Sequence, residues 1–149
     1  ILAFVEGDFA RDNIVVEPKM CDHLWVLGDK DLLYRALYNV LVNGRQAMKK
    51  DGTLVIRTFE RDNWAVVEVT DSGPGFDPDT IDKLFEPFFT TKDAGTGLGL
   101  PIVRSIIESH GGSVHLSNAE EGGARVEVLL PLVAMENPNE AESQKNLPS

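Results

Sequence analysis

The sequence predicts an α+β domain. It would be a two-layer sandwich whose mixed, mostly antiparallel sheet is covered on one face by about three helices. Three observations carry this. Residues 54–59 and 64–70, and again 113–116 and 124–130, alternate apolar and polar residues around short polar turns, as antiparallel hairpins do. Residues 29–49 and 98–110 instead repeat apolar residues at helical spacing, one face each. The chain has 149 residues, of which 42% are hydrophobic and 26% charged, enough for one buried core.

Taken in order, residues 1–9 read as the last turns of a helix, entered in mid-pattern. Residues 13–16 and 23–27 are rich in β-branched and aromatic residues and are expected to be short strands. Asp29 offers an N-cap to the helix that follows, and Gly52 lies beyond its end. The first hairpin turns at Arg61-Asp62-Asn63. Asp77-Pro78, a cap followed by proline at the first helical position, should start a short helix reaching Phe85. Residues 86–97 lack periodicity and read as a loop. The helix after it tolerates Pro101, which falls in its first turn, and Gly111-Gly112 stop it. The second hairpin turns at residues 120–123. The predicted domain spans residues 1–133, and residues 134–149, dominated by Glu, Asn, Pro, Ser and Gln, are expected to be a disordered tail.

Charge and composition narrow the function. Lys plus Arg number 14 against 24 Asp plus Glu, a net charge of −10, which argues against a nucleic-acid groove. Binding a single nucleotide stays open, because backbone N–H groups can cradle phosphate whatever the global charge. No apolar run is long enough to cross a bilayer and no signal-peptide pattern opens the chain. Cys21 is the only cysteine, so an internal disulfide is impossible, and a cytoplasmic setting is expected.

Seven of the 13 glycines fall between Gly73 and Gly112, including two clusters, Asp71-Ser72-Gly73-Pro74-Gly75 and Gly95-Thr96-Gly97-Leu98-Gly99. The second runs straight into a helix. It is a phosphate cradle at a helix N-terminus or an ordinary loop, and it matches neither the P-loop nor a dinucleotide fingerprint. On the helix of residues 29–49, Leu33, Leu37, Val40, Leu41 and Met48 form one stripe. Asn39, Asn43 and Gln46 lie away from that stripe, within roughly 60° of one another. They are a solvated face or a ligand face. Asparagine is a poor helix former, so its choice over Glu or Lys favours the ligand. Asp71 ends an otherwise apolar strand, where it either caps a turn or accepts from a base amino group. Residues 84–92 put three of the seven Phe residues in a predicted loop, either as a lid with Lys92 facing phosphate or as a satellite cluster beneath the loop.

Together these segments resemble the sequence boxes of sensor histidine kinases, in the family's order. Asn39-Val-Leu-Val-Asn43-Gly-Arg-Gln46-Ala47 resembles the N box, and Asp71-Ser-Gly73-Pro-Gly75-Phe76 the G1 box. Leu84-Phe85-Glu-Pro-Phe88-Phe89-Thr-Thr-Lys92 resembles the F box, and Gly95-Thr-Gly97-Leu-Gly99-Leu-Pro-Ile-Val103 the G2 box. The resemblance runs from about Asp29 to Leu132. It implies the ATP-binding catalytic domain of a two-component kinase, in the superfamily shared with gyrase and heat-shock chaperone ATPases. The Gln46-Ala47-Met48 ending is similar to the nitrogen-regulation-like class.

Residue by residue, the resemblance implies Asn43 as the Mg²⁺ ligand and Asn39 beside the phosphates, with Gln46 among the nucleotide-binding residues. It gives Asp71 to the adenine amino group, with Gly73 and Gly75 shaping the base pocket. It gives Gly95, Thr96, Gly97, Leu98 and Gly99 to the phosphates, with Lys92 reaching the terminal one. The cofactors implied are ATP and Mg²⁺. Gly44 departs from the family's usual alanine, at a cost of about 1 kcal/mol in helix propensity. The family's phosphoacceptor is a histidine followed by an acidic residue. Here His23, His110 and His115 are followed by Leu24, Gly111 and Leu116. The acceptor is therefore expected on a separate dimerisation domain, with a response regulator downstream and no nucleic-acid or direct membrane contact. An ATP hydrolase of the gyrase or mismatch-repair kind, a serine kinase acting on an anti-sigma partner, and a nucleotide-binding regulatory module are the alternatives.

Overall fold

The computed structural model describes residues 2–87 and 99–133, the first five of them as backbone only. In chain order the elements are α1 (Leu2–Arg11), β1 (Ile14–Lys19), α2 (Lys30–Met48), β2 (Gly52–Arg61), β3 (Trp64–Asp71), α3 (Gly99–Ser109), β4 (Ser113–Asn118) and β5 (Ala124–Pro131). The sheet order is β1-β2-β3-β5-β4. Only β1 and β2 run parallel, joined across α2, and the other neighbours are antiparallel. The expected mixed, mostly antiparallel sheet is therefore present.

Alternation along the strands decides which face is covered. Leu54, Ile56, Val69, Val126 and Val128 point to one side and are buried beneath Ala36, Val40 and Leu41 of α2 and Val103, Ile106 and Ile107 of α3. Burying each large aliphatic side chain contributes about 1.5–3 kcal/mol. The opposite face carries a charge lattice. Glu68, 8% exposed, lies 3.3 Å from Arg57 and 4.0 Å from Arg125, and Arg61 lies 3.0 Å from Glu127. The guanidinium groups of Arg57 and Arg61 sit over the Phe59 ring. Val66 is fully buried on this face, flanked in register by Phe59 and Leu129. The first hairpin closes through Asp62 (φ 51°) and Asn63 (φ 68°), the left-handed pair that a two-residue turn matching strand twist requires.

Several expectations need correction. Residues 23–27 are not a strand. His23 has φ 69°, which breaks an extended run, and the segment instead crosses from the end of β1 to α2. It is tied by single bonds, Cys21 N–H to Thr58 Oγ1 (2.7 Å) and Val133 N–H to the Trp25 carbonyl (2.7 Å), not by a ladder. The first strand starts one residue later than expected and runs three further, because Asn13 (φ 58°) belongs to the turn. Pro18 is accommodated because β1 is an edge strand. The helix expected from Asp77 to Phe85 shrinks to one 3₁₀ turn, Ile81–Lys83. The Asp77 carboxylate accepts from the N–H of Asp79 (2.9 Å), a local turn bond that competes with a regular helical start. The expected tail, residues 134–149, and residues 88–98 of the expected loop lie outside the described residues.

Candidate functional site

α2 is fixed at both ends. At its start, Asp29 Oδ1 accepts from the N–H of Asp31 (2.9 Å) and of Leu32 (3.1 Å), as its sequence position predicts. The Asp29 N–H in turn donates to His110 Nε2 (3.0 Å), while His110 Nδ1 lies 2.8 Å from the Ile106 carbonyl. His110 is thus more than a residue at a helix terminus, since it latches the end of α3 to the start of α2. At the far end of α2, Arg45 Nε contacts Asp12 Oδ2 (2.6 Å) and the guanidinium stands 5.9 Å over the ring of Phe9. Asn13 Nδ2 donates to Asp51 Oδ1 (2.7 Å). Helix α1 is therefore joined to the final turn of α2.

Between these anchors, Asn39 and Asn43 are half-buried and Gln46 is exposed. Asn39 Nδ2 donates to its own helix at the Arg35 carbonyl (2.9 Å), and its carboxamide oxygen is an acceptor. Carboxamide oxygens such as those of Asn39 and Asn43, one turn apart, are hard donors of the kind Mg²⁺ accepts in small number. The donor chemistry therefore fits that ion.

Asp71, 7% exposed, closes β3. Its Oδ1 accepts from the N–H of Gly73 (2.8 Å) and of Ala124 (3.2 Å). The turn-capping role is real, and it leaves the carboxylate held rigidly between β3 and β5. The loop behind it rests on α2: Ser72 Oγ accepts from the Thr53 N–H (2.9 Å) and lies 3.5 Å from Met48 Sδ. A Cβ on Gly73 would come 3.4 Å from the Ala47 carbonyl oxygen. Asn43 is one turn before Ala47 and adjoins Gly44, at which a Cβ would come 3.8 Å from Asp71 Cβ. Gly44 is explained here as well. It is buried against the sheet, and a Cβ there would come 2.8 Å from Leu54 Cδ1. The fully buried Leu54 fills the space that alanine would take.

Strand directions make α2 and α3 antiparallel, and the His110 latch joins the end of one to the start of the other. The 11 residues of α3 span roughly 16 Å at 1.5 Å per residue, about the distance from Asp29 to Asn39 along α2. Gly99, the first residue of α3, is thereby carried toward the Asn39–Asn43 half of α2. Lys92, Gly95, Thr96, Gly97 and Leu98 lie outside the described residues. Of the aromatic box, Phe85 sits beneath Arg104 of α3, 4.9 Å from ring centroid to guanidinium.

The structure sets Asp71 and Gly73 against residues 44–48 of α2 and Gly75 against Asn118 and Gly122, while Asn39 and Asn43 lie on α2 itself and Gly99 opens α3. The sequence reading missed Ala124, whose backbone N–H reaches Asp71 from the other hairpin, because a main-chain donor leaves no side-chain signature. It also missed Asn118, whose carboxamide holds Phe76. His23 and His115 are exposed, and His115 Nε2 lies 3.0 Å from Ser113 Oγ. Among the described residues no cluster of three metal-ligating side chains occurs, and no helix is long and apolar enough to cross a membrane.

Comparison with known proteins agrees with this fold. Residues 28–134 match the family model described as histidine kinase-, DNA gyrase B-, and HSP90-like ATPase. The sensor histidine kinase ZraS of Salmonella typhi is 39% identical over 110 residues, covering 73% of this chain and 24% of that protein. The sensor protein FixL of Bradyrhizobium diazoefficiens is 42% identical over 109 residues, 71% of this chain and 22% of that protein. The chain therefore spans about a quarter of the length of these curated relatives. Among solved structures, the catalytic domain of histidine kinase ThkA superposes with a TM-score of 0.80 at 32% identity, covering 87% of this chain and 86% of that one. The mycobacterial sensor histidine kinase MprB gives 0.78 at 31%, covering 88% and 91%. The match over residues 28–134 and the superposition on the ThkA catalytic domain make the chain a member of the histidine kinase-, gyrase B- and HSP90-like ATPase family, as the ATP-binding catalytic domain of a histidine kinase.

Proposed function

We propose that this domain holds Mg-ATP between α2, the end of β3 and the start of α3, and passes the γ-phosphoryl group to a histidine on a separate helical dimerisation domain. A ring nitrogen of that histidine attacks the γ-phosphorus, the bond to the β–γ bridging oxygen breaks, and ADP departs. Asp71 accepts the adenine amino group, and Gly73 and Gly75 shape the base pocket. Asn39 and Gln46 line the phosphates, and Asn43 holds the metal. When bound, Mg²⁺ supplies charge neutralisation on the phosphate oxygens, the largest demand of such a transfer. Lys92 and the glycines from Gly95 to Gly99 complete the phosphate site. The phosphohistidine then supplies a response regulator. The ThkA kinase is known in complex with one such protein.

One observation carries the preference for transfer over hydrolysis. Apart from Asp31 in its first turn, α2 has no carboxylate. A hydrolase needs a carboxylate beside the phosphates to take the proton of an attacking water, and an asparagine amide cannot do so. Nor is the acceptor within the chain: both ring nitrogens of His110 are engaged, and neither His23 nor His115 precedes an acidic residue. The proposal includes a cytoplasmic setting, a domain of residues 1–133, a separate tail of 134–149, and no nucleic-acid or membrane partner. The test is incubation with γ-labelled ATP and a histidine-bearing dimerisation domain. Acid-labile label on the dimerisation domain alone supports the reading. Release of inorganic phosphate with no label on either chain supports hydrolysis, and binding with neither outcome supports a regulatory module.

A further inference from the structure

We propose that the turn joining β4 to β5 is the second wall of the base pocket, with Asn118 as the positioning residue that fixes its width. This inference rests on the reading that the adenine base sits against Asp71. The loop from Asp71 to Phe76 is gripped by that turn at both ends. At one end, the Ala124 N–H donates to Asp71 Oδ1 (3.2 Å), and a Cβ on Gly123 would overlap the Asp71 carbonyl. At the other, the Asn118 carboxamide reads the main chain of Phe76 in both directions. Its Oδ1 accepts from the Phe76 N–H (2.7 Å), and its Nδ2 donates to the Phe76 carbonyl (2.9 Å). Between these ends, Gly75 takes φ 83°, and a Cβ there would come 2.7 Å from the Gly122 carbonyl oxygen and 2.8 Å from Asn118 Oδ1. The turn is itself braced, since Ala119 N–H donates to the Gly123 carbonyl (2.7 Å) and Gly122 N–H to the Ala119 carbonyl (2.9 Å).

A rigid turn pressing on a loop with an otherwise permissive backbone sets where that loop stands. A side-chain amide is well suited to this, because it mimics a peptide group and pairs with both main-chain groups of one residue. Asn118 is exposed, so water can satisfy Phe76 once the side chain is removed. The fold then loses little, while the loop gains freedom that the base must quench on binding. Asn118 therefore acts on the recognition of the base and leaves the phosphates to α2 and α3.

The experiment measures affinities of Asn118→Ala and wild type for Mg-ATP, Mg-GTP and inorganic triphosphate by calorimetry. The variant is expected to bind Mg-ATP roughly tenfold more weakly, with a narrowed ATP-to-GTP ratio and unchanged triphosphate affinity. Asn118→Asp, which turns the donor facing the Phe76 carbonyl into an acceptor, should be no better than alanine. A variant that keeps wild-type Mg-ATP affinity and base discrimination overturns the proposal, as does an equal loss for triphosphate. Independently of any variant, the Phe76 amide of the wild-type protein should be protected from hydrogen exchange without nucleotide, and unprotected exchange overturns the proposal too. If Asp71→Asn weakens Mg-ATP while Asn118→Ala does not, the role of Asn118 alone fails. If neither does, the base is not held at Asp71.

Discussion

Replacing Asp71 by asparagine separates the two duties of that side chain. Oδ1 accepts from the Gly73 N–H (2.8 Å) and the Ala124 N–H (3.2 Å). Only the oxygen of an asparagine can accept both, so the amide nitrogen of the variant is forced to the position of the present Oδ2. On the proposed reading, a base amino group then meets a donor where it met a charged acceptor. Losing a hydrogen bond to a charged group costs about 1.5–3 kcal/mol, and opposing donors add to that. Each 1.4 kcal/mol is tenfold in affinity, so Mg-ATP binding should fall by about 100-fold or more. The fold should suffer less: two main-chain bonds change from charge-assisted to neutral, a loss on the order of 1–2 kcal/mol in all. Calorimetric titration with Mg-ATP and urea unfolding, run on the same samples, measure both quantities. Wild-type affinity in a folded Asp71→Asn protein would refute the assignment of the base to this carboxylate.

Three further outcomes follow from particular contacts. Asn43→Ala should nearly abolish phosphoryl transfer to an added dimerisation domain, yet weaken magnesium-free nucleotide binding only modestly, since alanine favours the helix and Asp71 lies on another element; near-normal transfer would contradict this. Gly44→Ala gains about 1 kcal/mol of helix propensity but pushes a methyl group against the fully buried Leu54, and overpacking of this kind costs about 1–3 kcal/mol. We expect net destabilisation that Leu54→Val relieves in the same chain, and simple additivity in urea unfolding would count against it. Arg45→Ala should lose about 1 kcal/mol from the Asp12 pair and the Phe9 stack, overlapping with the loss in Asp12→Ala; independent effects would show that the pair does not join α1 to α2.

What the sequence made legible follows the reach of its signals. α2 is announced by Asp29, by a clean apolar stripe and by Gly52 beyond its end, all local features, and it lies within one residue of its expected bounds. The hairpins were equally plain, because alternation and turn residues sit within a few positions of each other. Residues 23–27 misled because β-branched and aromatic composition describes a segment that packs, and this one packs as a crossing strap. The helix expected after Asp77 failed because a cap and a proline start a helix that too few good helix formers then continue. The side chains proposed for the site stood out in the sequence, since asparagines in mid-helix and a lone strand-end aspartate violate local preference. The groups that hold them in place were not. The Ala124 N–H carries no residue signature, and the pairing of Asn118 with Phe76 depends on a register that only the folded sheet defines.

That β5 is inserted between β3 and β4 bears on when during its life the protein can bind nucleotide. Asp71 and Ala124 stand 53 residues apart along the chain and meet only once β5 has entered the sheet. If the base sits against Asp71 as proposed, a nascent chain that has emerged through β3 and the 3₁₀ turn has the aspartate and its Gly73 bond but lacks the Ala124 N–H, so binding competence arrives only with the C-terminal hairpin. Nucleotide is therefore a ligand of the complete sheet alone. At a concentration 100 times its dissociation constant it stabilises that state by about 2.7 kcal/mol. The same linkage makes cellular nucleotide a guard against proteolysis, because a cut or excursion that frees β5 from β3 dismantles the pocket and releases the ligand together.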